Sequence, residues 1–325
     1  MARFFLWFTV LAVIAAGVAA GAYVWFDREV NAAGPLQATA TIIIPSGSGV
    51  PAIARVLSAT GVIRYPLVME LEARRSGKAR ALKPGEYRFD AGISVAGALD
   101  KIVRHDVVPR FVTIPEGLTI GEAMTLLANA AGLTGEIKEI PAEGAILPET
   151  YRYEWGDSRE TVLARMGAAR AAVLKELWDA RAPNLPLDSP EQAVVLASVV
   201  EKETGVAVER PHVAAVFVNR LRKGIRLQSD PTVIYGLAPA TGALDRAITR
   251  ADLEQATAYN TYVIDGLPPG PICNPGRAAI AAVLAPATSD DLYFVADGSG
   301  GHVFAATLDQ HNRNVANWRK LQNRH

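Results

Sequence analysis

Cysteine is almost absent from this chain. Its 325 residues include one, Cys273, which excludes an internal disulfide and any zinc cage built on thiolates. A surplus of charge is missing too. Lys and Arg number 33, as do Asp and Glu, whereas a protein that grips nucleic-acid backbone needs an excess of cations. No nucleic-acid partner is expected. The histidines, His105, His212, His302, His311 and His325, show no HExxH or comparable spacing, so neither a metal nor another cofactor is expected. Nor is the composition of low complexity: 50% of the residues are hydrophobic and 20% charged, as in folded chains. At about 100–200 residues per domain, the length corresponds to about two compact units.

Beyond residue 26 no second hydrophobic run is long enough to cross a membrane. The first one is. From Phe4 to Phe26 there are 23 residues without a charge, enough for a hydrocarbon core of about 30 Å at about 1.5 Å per residue. Aromatic residues gather at both ends (Phe4, Phe5, Trp7; Tyr23, Trp25, Phe26), where such rings favour the headgroup region. Small residues around Ala19–Ala22 would suit signal-peptide cleavage, but the apolar run continues past them through Tyr23–Phe26, which favours a retained anchor. Arg3 precedes the span, and Asp27, Arg28 and Glu29 follow it. The expectation is a single-pass protein with one body beyond the membrane, carrying 32 basic and 33 acidic residues.

After a linker over 27–38, a pattern of apolar strand, tight turn and short amphipathic helix recurs three times. TATIIIPSGSGVPAIARVL is the first instance, and YRFDAGISVAGALDKIV the second, with Ser94 as N-cap. FVTIPEGLTIGEAMTLL is the third, with Thr119 and Glu122 spaced as a capping box. Ile44-Pro45-x-Gly47 and Ile114-Pro115-x-Gly117 match at an offset of 70. This alternation predicts an α+β fold and not a long parallel sheet.

Past Pro148 the texture changes. Ser158 opens a long amphipathic helix. In NLPLDSPEQAVVLASVVEKETG, Ser189 caps a second helix, with Pro190 at its first position and Gln192 completing a box. Apolar nearly all round, this helix belongs in a core. Another follows, with Val213, Phe217 and Leu221 in register. Then come RLQSDPTVIYG, AYNTYVIDGLPPGPICNPG, a hairpin in LYFVADGSGGHVFAATL and a terminal helix around Val315, Trp318 and Leu321.

Glu201 stands out among the titratable residues. It follows Val194, Ala197 and Ser198 on one face near a helix C-terminus. Desolvation and the negative end of the helix dipole both disfavour its anion, which suits a carboxylic acid that donates protons near neutral pH. On the residues alone, the favoured reading is a helix-end charge paired with Lys202 or an arginine. Glu203 lies on another face and reads as solvated. Asp230, before Pro231, reads as an N-cap, Asp265 as a turn residue, and Asp297–Gly301 as a hairpin loop. Tyr235 and the run Tyr259-Asn260-Thr261-Tyr262 offer rings and amides, for sugars or for core packing.

The run ASVVEKETGVAVERPHVAAVFVNRL, with LQSDPTVIYG, AYNTYVIDGLPPGPICNPG and LYFVADGSGGHVFAATLDQHN, resembles the YceG-like family of endolytic murein transglycosylases. The resemblance covers nearly the whole chain. It implies an anchor over 4–26, a small LysM-like α+β subdomain over 39–110 and a mixed α+β catalytic domain over 111–325. It further implies an inner-membrane protein facing the periplasm that cleaves the β-1,4 bond between N-acetylmuramic acid and N-acetylglucosamine inside nascent strands, leaving 1,6-anhydro ends. Peptidoglycan strands, and the penicillin-binding synthases that make them, are the implied partners. The carried-over catalytic residue is the first glutamate of EKE, Glu201, with Glu203, Gln228, Asp230, Tyr235, Asn260 and Tyr262 expected along the sugar cleft. A muramidase delivering water, or a noncatalytic peptidoglycan-binding scaffold, are the alternatives.

Overall fold

The computed structural model describes residues 2–322. Among the described residues the architecture is α+β, with three two-stranded sheets alongside the helices. The chain divides into two compact units.

The first unit comprises Met1–Arg110 with two short later segments, Ala131–Thr134 and Arg152–Asp157. It begins with α1 (Ala2–Asn31), which over Phe4–Asn31 is long and apolar enough to span a membrane. Then follow β1 (Ala40–Ile44), α2 (Val50–Ala59), α3 (Pro66–Arg75), a 3-10 turn at Lys78–Arg80, β2 (Gly85–Phe89) and α4 (Val95–Val103). β1 and β2 pair antiparallel, with Ala40 opposite Phe89 and Ile44 opposite Gly85. Ile44, Tyr87 and Phe89 point from this ribbon into a core with Ile53 and Leu57 of α2, Met69 of α3 and Leu99 and Ile102 of α4. Ser94 caps α4 through its side chain.

The linker expected over 27–38 is helical as far as Asn31. Val30 is buried in the same core and Phe26 packs against it, so the last turn of α1 belongs to the unit. The chain beyond is also held. The Gly34 N–H points at Gly92 O and Ile93 O, each at 3.2 Å, and a Cβ at Gly34 would lie 2.3 Å from Ile93 O and 2.6 Å from Val62 O.

β3 (Arg110–Thr113) pairs with β4 (Thr150–Tyr153), and the division between the units falls within these strands. The second unit contains α5 (Ile120–Ala128), α6 (Arg159–Asp179), α7 (Pro190–Glu203), α8 (Arg210–Arg222), α9 (Asp230–Leu237), α10 (Arg250–Glu254), α11 (Arg277–Leu284), the strands β5 (Tyr293–Ala296) and β6 (His302–Ala305), and α12 (Leu308–Gln322). Thr119 and Glu122 form the capping box of α5. α7 runs through the middle, against α6, α8, α9 and α11, and every residue from Ala193 to Val200 is buried. Ser189 caps α7, but Gln192 Oε1 accepts from the Asp188 N–H, one residue before the expected partner. β5 and β6 form the expected antiparallel hairpin, its turn closed by Asp297 accepting from the Ser299 and Gly301 N–H groups.

Gly34→Ala tests how firmly the segment after α1 is seated. Overpacking costs about 1–3 kcal/mol, and no side chain yields here because backbone carbonyls occupy the space. The urea midpoint of the first unit should fall accordingly.

Candidate active site

Burying α7 carries its last turn inward with two carboxylates on it. Glu201 is 5% exposed at the side chain. Its Oε2 accepts from the Gly276 N–H at 2.8 Å, at the N-cap of α11, where a helix end favours an anion. Its Oε1 lies 3.4 Å from Nη2 of Arg210, itself 11% exposed. Burial and then Glu116 push the Glu201 carboxyl up, while the Gly276 N–H, Arg210 and Lys202 oppose the rise.

Two loops clamp this residue. One is Pro115-Glu116-Gly117, in which Gly117 has φ +79°, a conformation that favours glycine. The other is 272–276. Ser198 Oγ accepts from the Ile272 N–H, and buried Asn274 links the loops by donating its N–H and its Nδ2 to Leu118 O. Glu116 packs over Gly276 so closely that a Cβ there would overlap its carboxylate.

Glu203, two residues on, faces elsewhere. It lines a cavity of about 400 Å³ together with Arg220, Gln228, Asp230, Tyr262, Tyr293 and His311. The expectation of a solvated Glu203 is corrected, because the Ser229 segment closes over it and Ser229 Oγ donates to its Oε1 at 2.5 Å. Burial pushes the Glu203 carboxyl up to about 7, with Asp230 adding to the rise and Ser229, His302 and Arg220 opposing it. A carboxylic acid titrating there is protonated or ionised at little cost near neutral pH, as general acid–base work requires.

The cavity wall is rigid. Arg220 Nε donates to Leu292 O at 2.6 Å, and Nη1 donates to Leu227 O at 2.9 Å and to Gln228 Oε1 at 3.2 Å. Gln228 sits at φ +52°, a strained conformation for a side-chain-bearing residue, of a kind that gathers at functional sites. Asp230 is not an N-cap: Ser229 takes that position, and Asp230 Oδ1 accepts from the Tyr262 hydroxyl at 2.6 Å.

Among the described residues, the cavity wall includes four of the expected cleft residues: Glu203, Gln228, Asp230 and Tyr262. Glu201, Tyr235 and Asn260 are not part of it. Tyr235 is buried, 3.4 Å from Glu143 and edge-on to Tyr259. Asn260 is fully buried, donating to the carbonyls of Asp252, Leu253 and Gln255 and accepting from the Tyr262 N–H. It shapes the loop that carries Tyr262. Sequence reasoning overlooked Arg220, Tyr293 and His311. Arg220 had a readable signal: it falls three residues after Phe217 on the apolar stripe of α8, where a cation needs a buried reason.

A profile of the YceG-like family matches residues 42–317. An endolytic murein transglycosylase of Bacillus subtilis (strain 168) is 30% identical over 309 residues, covering 85% of this chain and 84% of that protein. One from Streptococcus pneumoniae serotype 2 is 28% identical over 357 aligned residues, 94% of this chain and 63% of that protein. The chain thus spans less than two thirds of the pneumococcal protein. A crystal structure of a YceG-like protein from Listeria monocytogenes superposes with a TM-score of 0.52 at 29% identity, covering 85% of this chain and 99% of that one.

The raised carboxyls set a pH dependence. Between the ordinary value of 4.5 and about 7, the folded chain holds the Glu203 proton that the unfolded chain has released. Stability therefore falls as pH rises through that window. Glu143, also pushed to about 7 by burial, adds a slope of the same sign. Glu203→Gln should flatten part of this decline in denaturation midpoints measured from about pH 5 to about pH 8. Ser229→Ala removes a donor to the anion and should move the Glu203 titration higher still.

Proposed function

This chain belongs to the YceG-like family, and on that premise we propose that it is a membrane-anchored lytic transglycosylase that cuts inside nascent peptidoglycan strands. In this reading α1 holds the chain in the inner membrane and the body faces the periplasm. The LysM-like segment over 39–110 accompanies a catalytic domain over 111–325. The bond cut is the β-1,4 link from N-acetylmuramic acid to N-acetylglucosamine, and the strands come from penicillin-binding synthases working alongside.

The observation that carries the proposal is a glutamic acid, Glu203, in the wall of a polar cavity of about 400 Å³, its carboxyl pushed up by burial. We assign the proton transfers to Glu203. Protonated, it donates to the glycosidic oxygen as positive charge develops at the muramic acid C1. Ionised, it then accepts the proton of the sugar's own C6 hydroxyl, which attacks C1 and closes the 1,6-anhydro ring. The bond to the leaving sugar breaks, the C6–O–C1 bond forms, and the carboxyl returns to its starting state. Because the substrate supplies the nucleophile, a second catalytic carboxylate is unnecessary. Glu201, which family resemblance offers for the same role, is enclosed by Gly276 and Arg210. We assign it to holding the 272–276 loop and α11 against α7.

Parallel substitutions separate the two glutamates. Glu203→Gln should abolish turnover, by at least the about 10²–10⁴-fold attributable to acid–base catalysis, without loss of thermal stability. Glu201→Gln leaves Arg210 facing a neutral amide in a buried setting, so it should lower the melting temperature and cost less activity. An inactive, fully stable Glu201→Gln protein beside an active Glu203→Gln protein would return the acid role to Glu201.

Products separate the reaction from hydrolysis. A well-oriented intramolecular nucleophile has an effective concentration of about 10⁵ M or more, against about 55 M for bulk water. Strands cut in ¹⁸O water should end in unlabelled 1,6-anhydro-N-acetylmuramic acid, over a spread of lengths from the first minutes. Labelled reducing ends would make the protein a muramidase, and an unchanged cellular role for the double variant Glu201→Gln, Glu203→Gln would make it a scaffold.

A further inference from the structure

α3 meets α1 at both of its ends. Tyr65, just before its first residue, meets Trp25 with ring centres 5.7 Å apart and planes tilted by 55°, and Arg75, its last residue, lies 5.8 Å over Phe26. Ten residues of helix span about 15 Å. A helix whose two ends touch adjacent residues of another runs across that helix and not along it. Arg64, which precedes Tyr65, pairs with Glu29 at 3.2 Å.

Trp25 and Phe26 are also the last residues of the uncharged run, the level at which aromatic rings sit among lipid headgroups. α3 therefore lies at that level, crosswise to the spanning helix. Its inner face, Val68, Met69, Glu72 and Ala73, is buried in the first unit. Its outer face carries Leu67, 63% exposed, and Leu71, 45% exposed, one helical turn apart with half-buried Glu70 beside them. Arginines 64, 74 and 75 flank these leucines, all exposed, with Arg75 also paired to Glu72 at 2.7 Å.

From this juxtaposition we propose that α3 is an interfacial helix seated on the bilayer, with Leu67 and Leu71 at the acyl boundary and the arginines at the phosphates of anionic phospholipids. Apolar residues bordered by cations are what a helix lying in the headgroup plane presents, and the occupant is set by continuity with α1. The inference rests on the reading of α1 as a retained anchor.

The lone cysteine is buried, which permits single-site spin labelling of the full-length chain at Val13→Cys, Leu67→Cys, Leu71→Cys and Asp90→Cys. In nanodiscs containing phosphatidylglycerol, labels at 13, 67 and 71 should be relaxed several-fold more by oxygen than by a membrane-excluded nickel chelate. The label at 90, an exposed position just after β2, should show the reverse. Labels at 67 and 71 that behave like the one at 90, while 13 remains immersed, would overturn the proposal and leave the anchor standing. A label at 13 exposed to the chelate would overturn the anchor itself.

Discussion

A helix buried on every side has to end, and the way α7 ends governs the second unit. Its apolar residues from Ala193 to Val200 are covered by α6, α8, α9 and α11, so the carboxylates of Glu201 and Glu203 arrive inside the unit with little water to solvate them. Leaving a buried charge uncompensated is costly. Much of the surrounding polar structure answers that cost. Gly276 and Arg210 meet Glu201. Ser229 meets Glu203 directly, with Arg220 and His302 favouring its charge from farther off.

The two answers differ in kind. Around Glu201 the donors are a backbone N–H and a guanidinium, groups that fix an anion in place and leave it little room to change partners. Around Glu203 there is one hydroxyl, which can give or accept a hydrogen bond, and an open cavity on the other side. A carboxyl held by a reversible partner can change protonation without rearranging its neighbours. Arg220 makes this arrangement dependable, because a single buried guanidinium ties Leu292, just before β5, and the 226–228 segment to α8.

What was legible in the sequence was local. Ser189-Pro190 marks the start of α7, Thr119 and Glu122 announce their capping box, and Asp297 with its glycines announces the hairpin, because each signal and its effect lie within a few residues. α3 and α11 escaped notice, being short helices whose faces are decided by distant neighbours. Burial of Glu203 depends on Ser229, 26 residues away, and the environment of Tyr235 on Glu143, 92 residues away. Helical rotation correctly separates Glu201 from Glu203 on the surface of α7, but only tertiary packing says which of the two faces a cavity. Asn260 shows the reverse error: an amide beside aromatic rings invites a sugar, yet every one of its hydrogen bonds goes to nearby backbone.

The junction after α1 has a mechanical consequence. With Val30 buried in the core of the first unit and Gly34 held by Gly92 and Ile93, no swivel separates the apolar helix from that unit. The two must turn together. With α1 in a bilayer, as proposed, rotational diffusion of the first unit would be set by the viscosity of lipid and not of the aqueous compartment, and a torque on that unit would pass straight to the bilayer.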